Sequence, residues 1–216
     1  AARRDFPLTH QEILDALKDL PTATLSEATA QPCDLPPIVH RVVPGARVVG
    51  PAFTVRCPLG DNTAVTRAVD QAQPGDVIVI DCGGPPRTAM WGETATFASQ
   101  VKGIAGCVTN GAVRDIDAIV SSGFPVFSAG LSLRGSTKGQ PGETNMNIVI
   151  GDIRIRPGDF ICGDADGVVV IPADQIDDVL NEAARLRADE QSRNDRIKSG
   201  TPLAEILAES GNRRQS

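Results

Sequence analysis

The sequence predicts a single α/β domain in which a central parallel βαβ portion is closed by an antiparallel β meander, with helical N- and C-terminal extensions. Three observations predict this fold. Apolar strands alternate with amphipathic helices between residues 46 and 130, short strands separated by Gly-Asp and Pro-Gly-Asp turns begin at residue 148, and helical patterns occupy both ends. Two successive βα units imply a right-handed parallel arrangement, and such a meander is expected to be antiparallel.

The first half of the chain is expected to supply helices and the first strands. Apolar residues at helical spacing predict an N-terminal helix, and Ser26 or Thr24 could cap a second one. Asp61 or Asn62 is expected to open a third helix. The predicted elements are, in order, helices over 8–19 and 24–31, a proline-rich covering loop over 32–45, a strand over 46–57, a helix over 61–72 and a turn and strand over 74–82.

The second half continues the alternation before the meander. Gly103 and Gly123 are expected to end helices, because glycine readily adopts the left-handed conformation of a C-cap. The predicted elements are a helix over 91–103, a strand over 104–109, a helix over 114–122, a strand over 124–130, a polar excursion over 131–147, short strands over 148–172 and a long helix over 173–199.

The C-terminal helix carries one apolar stripe that stops at about Arg187. Its members fall at helical offsets: Ile176, Val179, Leu180, Ala183 and Leu186. We therefore predict a catalytic domain over residues 1–188 and a helical extension over 189–216 that contacts a neighbouring subunit. A solvated, frayed tail is the alternative.

Composition narrows the class of function. Aromatic residues make up 3% of the chain, Tyr is absent and the net charge is −6, which argues against a nucleic-acid partner. Five scattered cysteines and two histidines have no zinc-site spacing, so buried free thiols in a reducing cytoplasm are expected. No apolar run approaches the ~20 residues of a membrane span, and we expect a cytoplasmic protein with no membrane partner.

Candidate chemistry lies at the carboxyl ends of two predicted neighbouring strands, where parallel sheets present ligand sites. Carboxylates are the available metal ligands, and oxygen ligands select hard cations such as Mg²⁺ or Mn²⁺. In the first loop, residues 82–94, the backbone N–H groups around Gly92 to Ala95 could hold an anion at a helix N-terminus. Glu93 in that turn could equally be there because an acid favours the helix dipole.

The second loop places Arg114 beside Asp115 at the predicted start of the next helix. An acid at this position could simply open the helix, but a cation there opposes the helix dipole. Arg114 therefore predicts an anchor for an anionic ligand. Gly111 would allow close backbone approach or positive φ, and Asp117 is expected to be solvated.

These residues resemble the signature of the RraA-like family of class II pyruvate aldolases, in which an acid is followed by twenty residues and Arg-Asp. Glu93 and the Arg114-Asp115 pair stand at that spacing, and four further stretches are similar to family blocks: QAQPGDVIVIDCGG, AMWGE, GCVTNGAVRD and RPGDFICGDADGVVVIP. The family includes 4-hydroxy-4-methyl-2-oxoglutarate aldolase and 4-carboxy-4-hydroxy-2-oxoadipate aldolase. The resemblance covers approximately residues 22–190.

Three departures accompany the resemblance. The family usually has Asp where Glu93 stands, and Ser-Asp-Ala where this chain has Ser26-Glu27-Ala28. The polar stretch 133–147 matches least well, and substrate choice could differ there.

The resemblance implies a metal-dependent site. Asp115 would hold Mg²⁺ or Mn²⁺ directly and Glu93 would act through a metal-bound water. The backbone of Gly92, Glu93, Thr94 and Ala95 together with Arg114 would bind the 2-oxo acid, and Arg114 and Glu93 would be the catalytic residues. Cleavage would release a pyruvate enolate, and the same chemistry would decarboxylate oxaloacetate.

The resemblance also implies a homotrimer or homohexamer in which an acid from a neighbouring subunit's C-terminal helix approaches the site. Glu190 is our candidate, with Glu182 and Asp189 as rivals. A water held by the metal or by a carboxylate is the expected base. Lys18, Lys102, Lys138 and Lys198 lie at no apolar strand end, which argues against Schiff-base catalysis.

Two other functions are associated with this family. Some members inhibit a ribonuclease by protein contact, which makes a non-catalytic regulator the alternative. A methyltransferase is disfavoured because no G-x-G-x-G fingerprint follows a first strand.

Overall fold

The computed structural model describes residues 8–213, with side chains described through residue 208. The helices are α1 (His10–Lys18), α2 (Thr22–Ala28), α3 (Thr63–Gln71), α4 (Glu93–Lys102), α5 (Ile116–Ser122), α6 (Ile176–Lys198) and α7 (Leu203–Arg213). The strands are β1 (His40–Arg41), β2 (Val48–Arg56), β3 (Val77–Asp81), β4 (Ala89–Trp91), β5 (Gly106–Val113), β6 (Val126–Leu131), β7 (Glu143–Thr144), β8 (Ile148–Ile150), β9 (Ile153–Ile155), β10 (Phe160–Gly163) and β11 (Val168–Ile171).

A mixed sheet organises the described residues, in the order β1-β6-β5-β3-β2-β10-β11. Strands β2, β3, β5 and β6 are parallel neighbours, and β10 and β11 continue the sheet in antiparallel pairing. The predicted fold class is therefore confirmed. In the predicted meander, however, only β10 and β11 extend the main sheet, since β8 and β9 pair with each other as a separate hairpin.

Three apolar clusters hold the layers together. Helices α3 and α5 pack on one face of the central strands, and the β8–β9 hairpin covers the opposite face with four buried isoleucines. Helices α1, α2 and α6 pack against β10 and β11. Strand β3 is buried from Val77 to Ile80 because it lies between covered faces, as parallel strands usually do.

The strand before the Arg-Asp pair is longer than predicted. It runs to Val113, so residues 110–113 are strand rather than loop, and α5 begins at Ile116. Gly111 makes this possible, because a Cβ there would lie 2.8 Å from Met90 Cγ. The short strand β4, which the sequence did not predict, pairs with the extension. Arg114 therefore precedes α5 and does not belong to its first turn.

The cap of α2 was predicted wrongly. The helix begins at Thr22, so Thr24 and Ser26 lie inside it. The backbone N–H and hydroxyl of Thr22 instead donate to the carboxylate of Asp164, at 3.0 and 2.6 Å. A carboxylate 142 residues away thus takes the place of a local cap.

Other boundaries agree with the prediction or extend it. Gly103 and Gly123 follow their helices with φ of 78° and 71°, as expected. The loop 32–45 and the excursion 131–147 supply two-residue strands, β1 and β7. Helix α6 is continuous across residues 188–189 and is followed by α7, which lies within the predicted helical extension.

Candidate functional site

A cavity of about 410 Å³ opens where β4 and β5 end. The residues proposed from the sequence that line it are Gly92, Thr94, Ala95, Arg114 and Asp115. Residues from α3 and its N-cap, from β4, from α4 and from the segment after β6 complete the wall: Asn62, Val65, Thr66, Val69, Asp70, Ala89, Met90, Trp91, Ala98, Gly135, Ser136 and Lys138.

Asp115 is held in a conformation that few residues adopt. Its φ of 60° and ψ of 42° are left-handed, a region in which Asp is more often tolerated than most side chains. Its Oδ2 accepts a hydrogen bond from the Glu93 backbone nitrogen at 3.1 Å. A Cβ on Gly92 would lie 2.5 Å from this Oδ2, so glycine leaves the space that the carboxylate occupies.

The Arg114 side chain lies over the same cavity. Its Nε is 3.6 Å from Asp115 Oδ2, and the two side chains are 49% and 41% exposed. At such exposure the ion pair contributes little to stability, so both groups remain accessible to a ligand. The Arg114 backbone nitrogen donates to Trp91 O at 3.1 Å, and a Cβ on Gly135 would lie 2.8 Å from the guanidinium.

The N-terminus of α4 faces this pair. Gly92 is its N-cap and makes no side-chain capping hydrogen bond. Backbone N–H groups of a first helical turn lack partners within the helix, and the helix dipole favours negative charge there. The Glu93 N–H is directed at Asp115, while Thr94 and Ala95 line the cavity.

Glu93 takes part differently from the sequence expectation. Its backbone contacts Asp115, but the residue lines a separate cavity of about 310 Å³ beside Phe97 and Gln100, not the one lined by Arg114. The structure therefore brings the predicted residues together, but Glu93 contacts Asp115 through its backbone nitrogen.

Two residues of the cavity were missed by sequence reasoning. Lys138 Nζ donates to Asn62 Oδ1 at 3.1 Å, and Asn62 Nδ2 donates to Met90 O at 3.2 Å. The sequence predicts Asn62 only as a helix cap, and Lys138 follows no apolar strand. They are 76 residues apart, and no local pattern signals their contact.

The acids considered for a neighbouring site lie on α6. Glu190 Oε2 accepts a hydrogen bond from Arg187 at 2.8 Å, while Glu182 and Asp189 both pair with Arg185. None of the three lines the cavity. Their approach to another subunit stays a prediction.

Asp115 is a side chain at this cavity that could bind Mg²⁺ or Mn²⁺. No group of three or more metal-binding His, Cys, Asp or Glu residues exists among the residues described. Asp115 is half-exposed in a cavity wide enough for water, and its Oδ1 receives no hydrogen bond from the described side chains. Mg²⁺ often keeps several waters and binds through one or two carboxylates, so this donor set fits such an ion.

The five cysteines are buried free thiols, as predicted. Burial raises the pKa of Cys57 and of Cys162 to about 12, which keeps both protonated at neutral pH. They are core residues with no thiolate chemistry at this site.

Comparison with known proteins identifies the family. The profile of the RraA-like family, described as Aldolase/RraA, matches residues 12–170. The chain belongs to the RraA-like family. A Halalkalibacterium halodurans protein named "Putative 4-hydroxy-4-methyl-2-oxoglutarate aldolase" is 40% identical over 182 residues, which cover 84% of this chain and 87% of that protein.

Solved structures share the fold, among them one of an RraA protein. An uncharacterized protein from Pseudomonas syringae pv. tomato superposes with a TM-score of 0.81 at 31% identity, over 94% of this chain and 100% of the other. The RNA-processing inhibitor RraA from Thermus thermophilis superposes with a TM-score of 0.66 at 28% identity, over 71% and 93%. The sequence-based family assignment is confirmed. Among the described helices, none is both long and apolar enough to cross a membrane.

Proposed function

We propose that this protein cleaves 4-hydroxy-2-oxo acids, such as 4-hydroxy-4-methyl-2-oxoglutarate or 4-carboxy-4-hydroxy-2-oxoadipate, into pyruvate and a second oxo acid by a divalent-metal-dependent retro-aldol reaction. Decarboxylation of oxaloacetate is the proposed side activity. The observation that carries this proposal is the contact of the Asp115 carboxylate with the first turn of α4 beside Arg114.

Binding of the 2-oxo acid end follows from charge and geometry. The first-turn N–H groups of α4 and the Arg114 guanidinium supply hydrogen-bond donors and positive potential for a carboxylate. Asp115 would hold Mg²⁺ or Mn²⁺, and Glu93 would act through a bound water. When bound, the metal supplies Lewis-acid stabilisation of negative charge on the substrate oxygens.

Arg114 is positioned to stabilise the negative charge that forms on the substrate during cleavage. As the hydroxyl on C4 loses its proton, C4 becomes a carbonyl, the C3–C4 bond breaks, and its electron pair forms the pyruvate enolate. Arg114 stabilises the enolate oxygen, and such preorganised stabilisation is usually the largest contribution to rate. The proton passes to a water held in the site, and protonation of C3 releases pyruvate.

Lys138 in the cavity wall favours a second carboxylate on the substrate. Lys138 is exposed and its ammonium contacts only the Asn62 side chain among the described residues, so it can bind an anion without losing a strong partner. The leaving part of a 4-hydroxy-2-oxo dicarboxylate carries such an anion.

Assembly is part of the proposal. We expect a homotrimer or homohexamer in which Glu190 of the partner subunit approaches the cavity, with the partner subunit's Glu182 and the partner subunit's Asp189 as rivals. Sedimentation velocity would give the oligomeric state, and a trimer or hexamer is the expected result.

Pyruvate release tests the function. The protein is assayed with oxaloacetate and 4-hydroxy-4-methyl-2-oxoglutarate, first with Mg²⁺ and then with excess chelator. We expect release that the chelator abolishes, and a loss of about 10² to 10³-fold in kcat/KM for Arg114→Ala. Arg154→Ala, at an exposed arginine on β9, is the matched control with unchanged rates. No metal-dependent release by folded protein would exclude the aldolase.

Regulation of a ribonuclease by protein contact is the second candidate, supported by the likeness to the Thermus inhibitor. Such binding would not need the cavity. Arg114→Ala would then leave the ribonuclease interaction intact in a pull-down assay, while aldolase activity would be absent even in the unsubstituted protein.

A further inference from the structure

The segment of residues 134–142, here called the strap, lines part of the cavity through Gly135, Ser136 and Lys138 and is hydrogen-bonded to two elements. Its first part joins β4, because Arg134 O accepts from the Ala89 nitrogen at 2.8 Å and Ser136 Oγ donates to Ala89 O at 2.6 Å. Its middle joins the start of α3, through Thr137 N to Gly60 O at 2.8 Å and Asn62 N to Thr137 O at 3.2 Å. Lys138 lies in this middle part.

Asp61 lies at the junction of the strap with α3. Its side chain is 1% exposed, whereas strap residues 137–141 are exposed. Its Oδ1 accepts from Thr63 N at 2.8 Å, and its Oδ2 accepts from Gln140 N at 3.2 Å and from Thr137 Oγ1 at 3.4 Å. One carboxylate therefore satisfies donors of both the helix start and the strap.

Asp61 is negatively charged and accepts hydrogen bonds from the surrounding donors. Hydrogen bonds from Thr63 outweigh the effect of burial and lower the pKa of Asp61, so it is ionised at neutral pH. A buried carboxylate that accepts only backbone and hydroxyl hydrogen bonds is costly to displace, because its partners would lose a charged acceptor. Asp61 does not line the cavity.

We propose that Asp61 is a positioning residue: its carboxylate fixes the strap against the start of α3 and so holds Lys138 beside Asn62 in the wall of the cavity. A flanking contact supports this arrangement. Gly139 N donates to Thr63 Oγ1 at 2.9 Å, so the residue after Lys138 is also fixed to α3. The claim that Asp61 affects ligand affinity rests on the proposed function. The claim that Asp61 orders the strap does not.

Asp61→Asn tests the proposal with little change in volume. An amide can still accept from Thr63 N, but its NH₂ group would then face the Gln140 N–H. Hydrogen exchange followed by mass spectrometry should show exchange at least about tenfold faster in peptides of the strap, with β2 and β3 unchanged. Asp164→Asn, at another buried carboxylate none of whose partners lines the cavity, is the matched control and should leave strap exchange unchanged.

Ligand binding gives the second readout. Calorimetry with 2-oxoglutarate, which carries two carboxylates, and with pyruvate, which carries one, is performed in Mg²⁺ buffer. We expect Asp61→Asn and Lys138→Ala each to weaken 2-oxoglutarate binding about tenfold and to leave pyruvate binding within about twofold. The double variant should be no weaker than Lys138→Ala, because both changes act through one contact.

Two outcomes overturn the inference: strap exchange unchanged in Asp61→Asn, or additive effects of the two substitutions on 2-oxoglutarate. Equal weakening of both ligands would indicate general damage to the fold and also counts against it. If the unsubstituted protein binds neither ligand, the proposed function fails, and hydrogen exchange alone decides whether Asp61 orders the strap. If Asp61→Asn does not fold, Thr137→Val, at an exposed strap residue, takes its place with a smaller shift in the same direction.

Discussion

Asp115 Oδ2 lies 3.1 Å from the backbone nitrogen of Glu93, which connects two loops separated by 22 residues of chain. The contact joins a carboxylate to the positive end of α4 while Arg114 Nε stands 3.6 Å from the same oxygen. Two sources of positive potential thus surround one half-exposed carboxylate. The left-handed backbone of Asp115 costs free energy, and such strain at a cavity is a reason to examine the site for function.

Gly92→Ala should reduce activity without a large loss of stability. The φ of Gly92 is −165°, which alanine adopts freely, so the effect would come from the new Cβ 2.5 Å from Asp115 Oδ2. We expect kcat/KM for pyruvate release to fall about 10²-fold, because small displacements of a site group are costly. Gly130→Ala is the control, since a Cβ there meets its nearest neighbour at 3.9 Å. Equal rates for both variants would contradict the assigned role of the Gly92–Asp115 contact.

Asp115→Asn should abolish metal binding while the fold is kept. Asparagine tolerates the left-handed conformation and can still accept from Glu93 N, but it lacks the charge that a divalent cation requires. Electron paramagnetic resonance of Mn²⁺ measures binding directly, without reference to activity. Asp117→Asn, two residues away at an exposed position, is the control and should bind Mn²⁺ like the unsubstituted protein. Retention of Mn²⁺ by Asp115→Asn would exclude this residue as the metal ligand.

Lys138→Met should alter substrate preference more than turnover. The substitution keeps the length of the side chain and removes its charge, so the second carboxylate of a substrate loses its partner in the cavity wall. We expect the ratio of kcat/KM for 4-hydroxy-4-methyl-2-oxoglutarate over 4-hydroxy-2-oxopentanoate to fall about tenfold, equivalent to about 1.4 kcal/mol. Lys18→Met on α1, outside the cavity, should leave that ratio unchanged.

Asp164 should make stability depend on acid pH. Burial acts to raise its pKa, but hydrogen bonds from Thr22 and Asp166 and the nearby Arg47 outweigh burial and lower the pKa. A lowered pKa means that the carboxylate stabilises the fold above the ordinary Asp pKa of about 3.9, and that this stabilisation is lost as pH falls through the lower folded-state value.

Urea unfolding of Asp164→Asn at several pH values measures this contribution. At pH 7 we expect the variant to be less stable by about 1–3 kcal/mol, the usual range for hydrogen bonds to a charged group. The difference should shrink below pH of about 4. Asp166→Asn, whose side chain is exposed and whose backbone makes the contact, is the control. A constant difference at all pH values would show that the charge of Asp164 is unimportant.

Elements with a strong local pattern were predicted well. The buried run at β3 and the helix stops at Gly103 and Gly123 follow from apolar patterning and from glycine at left-handed positions. The extension of β5 to Val113 was not predicted, because Asn110 and Gly111 within the strand are residue types typical of a turn. The extension of β5 pairs with β4. Both segments are strands because they pair with other segments, so neither can be recognised from its own residues.

In the candidate site, too, some features follow from local sequence and others from tertiary structure. The sequence by itself predicted Arg114, Asp115 and the glycine at the start of α4 as candidates near the strand ends, since they are recognisable from residue type and spacing. Only the tertiary structure decided that Glu93 meets Asp115 through its backbone, and that Lys138 and Asn62 contact each other in the wall of the same cavity. The physical reason is that charge type and helix-start chemistry are local properties, whereas contacts between distant segments depend on how the whole sheet brings its loops together.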